Sequence, residues 1–194
     1  MSSDDPIRSF VAVEITEEAR RRFADLARLA RDTGAHVSWV KPEGVHLTLA
    51  FLGDVPGTTL DALHTAMDVV ASDVPPFRYE IAGIGSFGNP RAPRIIWAGV
   101  REDSGVLARL QSRLAEEIRG LGIPLEDRAF VPHVTVARIR SARNIEGLLE
   151  SIQVAREWPF GWVPVERVVL VASRLTPQGP VYNDLYASAL RGTP

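Results

Sequence analysis

Histidine is the side chain whose ordinary pKa, about 6.5, lets it give or take a proton near neutrality. This chain has four histidines, and two of them head the same kind of tetrapeptide, His46-Leu47-Thr48-Leu49 and His133-Val134-Thr135-Val136. Each copy lies in an apolar, strand-like run, Val45 to Leu52 and Phe130 to Ala137. Strand side chains alternate faces, so each histidine shares a face with its own threonine. Leu47, Leu49, Val134 and Val136 then point the other way, into a core. A His/Thr face is a poor core and a good groove lining. Two such strands facing one another gather two imidazoles and two hydroxyls around one small anionic group. That set suits in-line displacement at phosphorus. A neutral imidazole takes a proton from the attacking water and a protonated one gives a proton to the departing oxygen, each transfer contributing about 10²–10⁴-fold. The threonine hydroxyls donate to non-bridging oxygens as their charge grows.

The elements that must hold these residues follow from pattern. Ile7 to Ile15 reads as a strand. Thr16 to Ala30 reads as a helix capped by Thr16, with Glu17 and Glu18 in its first turn and Phe23, Leu26, Ala27 and Ala30 at helical spacing. Asp32-Thr33-Gly34 ends it. His36 to Val40 is a short strand, Lys41 to Gly44 a turn, and Val45 to Leu52 the first histidine strand. Gly57 to Ala71 reads as a helix. Phe77 to Phe87 and Arg94 to Val100 read as strands joined by the turn Gly88 to Pro93. The order then restarts: a helix over Ser104 to Leu121 with Ser104 as cap, the second histidine strand, and a helix over Ala142 to Ala155. Strands Val165 to Ser173 and Val181 to Leu190 flank the turn Thr176 to Pro180.

The two histidines stand 87 positions apart, and the same offset lays Val13 on Val100. After each histidine strand come a helix and a Pro-Phe step, Pro76-Phe77 and Pro159-Phe160, opening a further strand. One unit of strand, helix, histidine strand, helix and strand is thus laid down twice. Copies related by a pseudo-twofold axis set their histidines facing across it. The expected architecture is α+β: one domain over 1–194 made of two pseudo-symmetric lobes, each a mainly antiparallel sheet with helices outside, and a groove between the sheets.

At 194 residues, 45% hydrophobic and 24% charged, the composition is that of a soluble globular protein with a real core. There are no cysteines, which excludes thiolate chemistry and disulfides. The acidic Met1-Ser2-Ser3-Asp4-Asp5 start has none of the features of a signal peptide, and no apolar run approaches the roughly 20 residues of a membrane span, so a cytoplasmic protein is expected. A net charge of −2 argues against indiscriminate nucleic-acid binding and leaves room for a local contact with an RNA end. Lys41 is the only lysine, so each arginine says less than usual.

Several signals carry no chemistry. Gly83-Ile84-Gly85-Ser86-Phe87-Gly88 spells a dinucleotide-binding pattern, but the prolines of Asn89-Pro90-Arg91-Ala92-Pro93 forbid the helix it must open. Those glycines mark a bulged strand and its turn. His64 falls mid-helix as a structural residue, and His36 has no carboxylate at ligand spacing, so neither metal nor cofactor is expected.

The chain resembles the 2H phosphoesterases and, within them, the RNA 2′,3′-cyclic phosphodiesterases, also called 2′-5′ RNA ligases. The resemblance runs through Phe10-Val11-Ala12-Val13, Trp39 to Leu49, Phe51-Leu52-Gly53 and Pro93 to Val100, then Phe130 to Arg138, Ser173 to Pro177 and Gly179 to Tyr182. It implies hydrolysis of a terminal 2′,3′-cyclic phosphate to a 2′-phosphate at RNA ends, without a metal; no cofactor is expected, and a monomer is. It also implies a capacity for 2′-5′ joining in reverse. By the resemblance His46 is the proton donor and His133 the proton acceptor, an assignment that spacing leaves open. Thr48, Thr135 and Arg138 are implied phosphate contacts and Phe51 a base-stacking surface. Arg138 and Phe51 each lie five residues past a histidine, on the opposite face under strict alternation, so both need a bulge or strong twist. Arg94 and Arg128 are candidates for lining the cleft or for a solvated surface. The same site chemistry also fits 2′-5′ oligoadenylates or small cyclic nucleotides. A non-catalytic RNA-end-binding module is the reading from another class.

Overall fold

The computed structural model describes residues 5–89, 92–141, 143–177 and 179–193. Strand β1 (Ile7–Glu14) leads into helix α1 (Glu17–Arg31). Thr16 Oγ1 accepts from the Ala19 amide at 3.3 Å, Glu17 and Glu18 face the positive helix end, and Ala19, Phe23, Leu26 and Ala30 form the buried stripe. Then follow β2 (Val37–Trp39), β3 (His46–Val55), α2 (Leu60–Asp73), β4 (Phe77–Asn89) and β5 (Ala92–Arg101). The second half continues with α3 (Val106–Gly120), β6 (His133–Ile139), α4 (Ile145–Val154), β7 (Pro159–Val165), β8 (Arg167–Thr176) and β9 (Gly179–Ala189).

All the strand pairings are antiparallel, in the order β7-β4-β5-β6-β3-β1-β8-β9, with β2 also on β6. The two halves, β7-β4-β5-β6 and β3-β1-β8-β9, join through a single residue pair, Leu47 with Val134. Among the described residues β3 and β6 form no other pair, and the groove expected between the halves would lie there. Helices cover the outer face: α2 and α3 pack on β3, β8 and β9, and α1 and α4 on β4 and β7.

The copies are interleaved. Helix α1 leaves β1 yet packs on β7 in the other half, and α3 follows β5 yet packs on β3. Strand β4, the end of the first copy, pairs with β5 of the second. Each half-sheet is therefore covered and completed by both copies. The main core lies between sheet and helices, where Leu47, Tyr79, Ile96, Val134 and Phe160 are fully buried. A small second cluster, Phe10, Ala12, Val169 and Val171 with Tyr182 against it, sits on the uncovered face.

Three local expectations change. Ser104 does not cap α3; the Glu102 carboxylate accepts from the amides of Ser104 and Leu107 at 2.8 and 3.0 Å, because Gly105 at φ +75° turns the chain into the helix one residue later. Strands β4 and β5 run on to pair Gly88 with Pro93 and Asn89 with Ala92, so the ladder consumes most of the expected turn; Pro90 and Arg91 lie outside the described residues. The fourth helix starts at Ile145, with Asn144 at φ 53° before it; Ala142 also lies outside the described residues. The glycine-rich run is strand, bulged between Ile81 and Ile84.

Candidate active site

Strands β3 and β6 carry the expected alternation. His46 and Thr48 are partly accessible beside buried Leu47 and Leu49, and His133 and Thr135 beside buried Val134 and Val136. The Leu47–Val134 pair fixes the register between them. In antiparallel strands that pair sets His46 beside Thr135 and Thr48 beside His133. The 87-residue offset maps Leu47 onto Val134, so the pseudo-twofold axis passes through this pair. The two histidines occupy diagonal positions about it.

Matching irregularities re-aim the residues that follow. Against β1, Val11 pairs with Ala50 and Ala12 with Thr48, so Leu49 is an extra residue in β3. Against β5, Ile96 pairs with Ala137 and Trp97 with Thr135, so Val136 is extra in β6. Leu49 and Val136 are equivalent by the offset. A bulge resets the alternation. Phe51, paired with Phe10, and Arg138, paired with Ile95, thereby return to the faces of their histidines. Phe51 is 41% exposed and carries the Arg8 guanidinium 4.6 Å over its ring.

Aromatic rings wall each imidazole. Phe10 stacks on His46 at 4.4 Å between centroids, and Tyr182 meets the same ring edge-on at 5.4 Å. Phe87 meets His133 edge-on at 4.9 Å, with Trp97 tilted against Phe87 at 5.2 Å. Trp97 is the equivalent of Phe10 by the offset. Its indole lies flat on Gly85, where an added Cβ would overlap the ring, and its buried N–H has no partner among the described residues.

Each histidine also bonds the backbone two residues before it. His133 Nδ1 donates to the Val131 carbonyl at 2.8 Å, since a carbonyl can only accept. In the neutral ring Nε2 is then the bare nitrogen. His46 makes the equivalent bond to Gly44. Burial among the aromatics depresses the His46 pKa to about 4, with the Gly44 bond opposing and the nearby Arg20 charge assisting. In the free protein His46 is therefore neutral at pH 7. Glu14, paired with His46 across β1–β3, is engaged by Arg167 at 2.5 Å.

Arg138 is exposed, and its charge, with that of Arg8, is felt at the Tyr182 hydroxyl, whose pKa burial pushes up. Arg94 lines a cleft together with Arg138. Arg128 lies in the surface, paired with Glu126 at 2.5 Å. His64 stacks on Tyr186 at 4.1 Å, outside the groove. Among the described residues no group of three or more His, Asp and Glu side chains converges as a metal site, and no helix is long and apolar enough to cross a membrane.

The pattern reading missed Phe10, Phe87, Trp97 and Tyr182. Strand β1 is apolar on both faces, so nothing set Phe10 apart. The repeat offset was the available signal, since it lays Phe10 on Trp97.

Two His-x-Thr strands meeting about a pseudo-twofold axis in a duplicated sheet define a phosphoesterase built by repetition. A family model described as LigT like Phosphoesterase matches residues 13–97 and again 100–182, two stretches with the offset found in the sequence. The chain belongs to this family. An RNA 2′,3′-cyclic phosphodiesterase of Methanothermobacter thermautotrophicus is 35% identical over 92% of this chain and 96% of its own. One of Thermotoga maritima is 31% identical over 96% and 97%. The crystal structure of TT0787 of Thermus thermophilus superposes with a TM-score of 0.80 at 32% identity, covering 95% of this chain and 98% of that one. Escherichia coli LigT complexed with 3′-AMP, at 24% identity and a TM-score of 0.72, shares the fold over 96% of this chain and 98% of its own.

Proposed function

We propose that the protein hydrolyses RNA 2′,3′-cyclic phosphate ends to 2′-phosphates, with His46 as proton donor and His133 as proton acceptor and without a metal. The observation that carries the reading is the Leu47–Val134 register, which sets the two His-x-Thr pairs symmetrically about one point. The names of full-length relatives supply the substrate class.

The chemistry follows from the tautomer and the burial. His133 keeps its Nδ1 proton on Val131 and offers Nε2 to the attacking water. Water adds to phosphorus in line with the P–O3′ bond. Its proton passes to His133, the P–O3′ bond breaks, and O3′ takes a proton from His46, leaving a 2′-phosphate and a 3′-hydroxyl. His46, neutral in the free protein, acquires its proton as the substrate anion arrives, because an adjacent negative charge favours the charged imidazole. Thr48, Thr135 and Arg138 donate to the non-bridging oxygens. Phe51 stacks on the terminal base, worth about 1–3 kcal/mol. In reverse the same groups join a cyclic phosphate to a 5′-hydroxyl as a 2′-5′ linkage.

The test is the pH dependence of turnover of a cyclic-phosphate oligonucleotide. The expected kcat/KM profile is bell-shaped, with the limb of His46 moving to higher pH in kcat, which reports the substrate complex. A profile without limbs between pH 4 and 9 removes the acid–base pair.

A further inference from the structure

Beyond the histidine groove, the ends of β5 and β6 enclose a cleft of about 420 Å³ lined by Arg94, Ile95, Arg138, Arg140, Ser141 and Ile145 among others, with no acidic residue among the described lining. Arg138 belongs to both spaces: it lines this cleft, and its charge is felt at Tyr182 beside His46. The bulge at Val136 puts Arg138 on the groove face, and two residues on Arg140 shares that face. Arg140 Nε donates to Ser38 Oγ at 2.8 Å, which fixes the guanidinium plane and leaves its terminal nitrogens for another acceptor. Seven arginines elsewhere among the described residues have a carboxylate within 4.0 Å, among them Arg22 with Glu18 at 3.2 Å, Arg113 with Asp73 at 3.1 Å and Arg167 with Glu14 at 2.5 Å. Others, such as Arg8 over Phe51 and Arg78 over Trp162, do not, so it is the convergence of three on one cleft that sets this group apart. Among the described residues no carboxylate lies within 4.0 Å of Arg94, Arg138 or Arg140. Three like charges around one cleft repel one another, and an anion is the ligand that offsets this.

We infer that the Arg94–Arg140 cleft is a second phosphate subsite, which takes the 5′-phosphate of the terminal nucleotide while the cyclic phosphate sits between His46 and His133. This rests on the groove reading given under Proposed function and deepens it. The cleft selects a chain end, whose terminal nucleotide carries a 5′-phosphodiester, over a free nucleoside 2′,3′-cyclic phosphate. Arg138 and Arg140 stand about 7 Å apart along the strand, so the cleft continues the groove by about one nucleotide step. Arg94 approaches from the neighbouring β5.

The test compares adenosine 2′,3′-cyclic phosphate with the same compound bearing a 5′-phosphate, and with the dinucleotide ending in adenosine 2′,3′-cyclic phosphate. One or two charge-assisted hydrogen bonds predict a kcat/KM advantage of about tenfold or more for the two substrates that carry the 5′-phosphate. Arg94→Gln and Arg140→Gln should each remove most of that advantage. Turnover of the plain nucleoside cyclic phosphate should stay within about twofold, which also reports that the variants are folded. Equal kcat/KM for all three substrates, or an equal loss on all three in the variants, overturns the subsite and leaves the groove reading intact. No turnover of any of them by the unaltered protein overturns the groove reading and the subsite with it.

Discussion

His46 holds a position that burial makes costly for a charge. Its pKa of about 4 in the folded protein lies below the ordinary 6.5 of an unfolded chain. The unfolded state therefore binds the proton first, and acid favours unfolding. The neutral ring's contribution is complete above pH 6.5 and is lost progressively as pH falls to 4, an effect of about 3 kcal/mol. His46→Asn should flatten the decline of the unfolding midpoint across that window; an unchanged slope would mean that His46 is not the group responsible. For turnover, His46→Ala and His133→Ala should each lower kcat on a cyclic phosphate by roughly 10²–10⁴-fold, read by product formation at saturating substrate. At this scale the sequence was most legible where polarity alternated: His46, Thr48, His133 and Thr135 declared a face. Tyr182 and Phe10 did not, because both reach His46 from other strands and only pairing brings them there.

Two of the departures from regularity in the strands set the lining around the histidines. The extra residues Leu49 and Val136 turn Phe51 and Arg138 to the groove, and without them strict alternation would send both toward the helices. That the residues need a bulge was legible from their spacing of five; where the bulge falls was not, because it is a property of the ladder with β1 and β5. The close approach of Trp97 to Gly85 was equally hidden, since it is a cross-strand contact. It makes a sharp prediction. In Gly85→Ala the new methyl would overlap the indole, so the ring must leave the wall it forms with Phe87 beside His133. The expected loss is about 1–3 kcal/mol of stability by chemical denaturation. Thr16→Ala, by contrast, removes one cap bond far from the groove and should cost about 0.5–2 kcal/mol with kcat unchanged.

In the molecule as a whole, duplication and interleaving explain why the repeat and its two lobes were visible and the elements that make up each lobe were not. A repeat is written along the chain at a constant offset. Membership of a half-sheet is decided by pairing, and β4 of the first copy joins β5, β6 and β7 of the second while α1 and α3 cross over. Neither copy can cover its own sheet alone. The two catalytic candidates also come one from each copy and meet only through the Leu47–Val134 pair. The proposed function is thus a property of the joined halves, and the measurement that tests it most directly is end-group analysis. An oligonucleotide ending in a 2′,3′-cyclic phosphate is incubated with the protein in EDTA, in parallel with His46→Ala and His133→Ala. The expected result is a 2′-phosphate end from the unaltered protein and an intact cyclic end from both variants. A cyclic end left untouched by the unaltered protein, a strict need for added divalent metal, or full turnover by either variant would contradict the account.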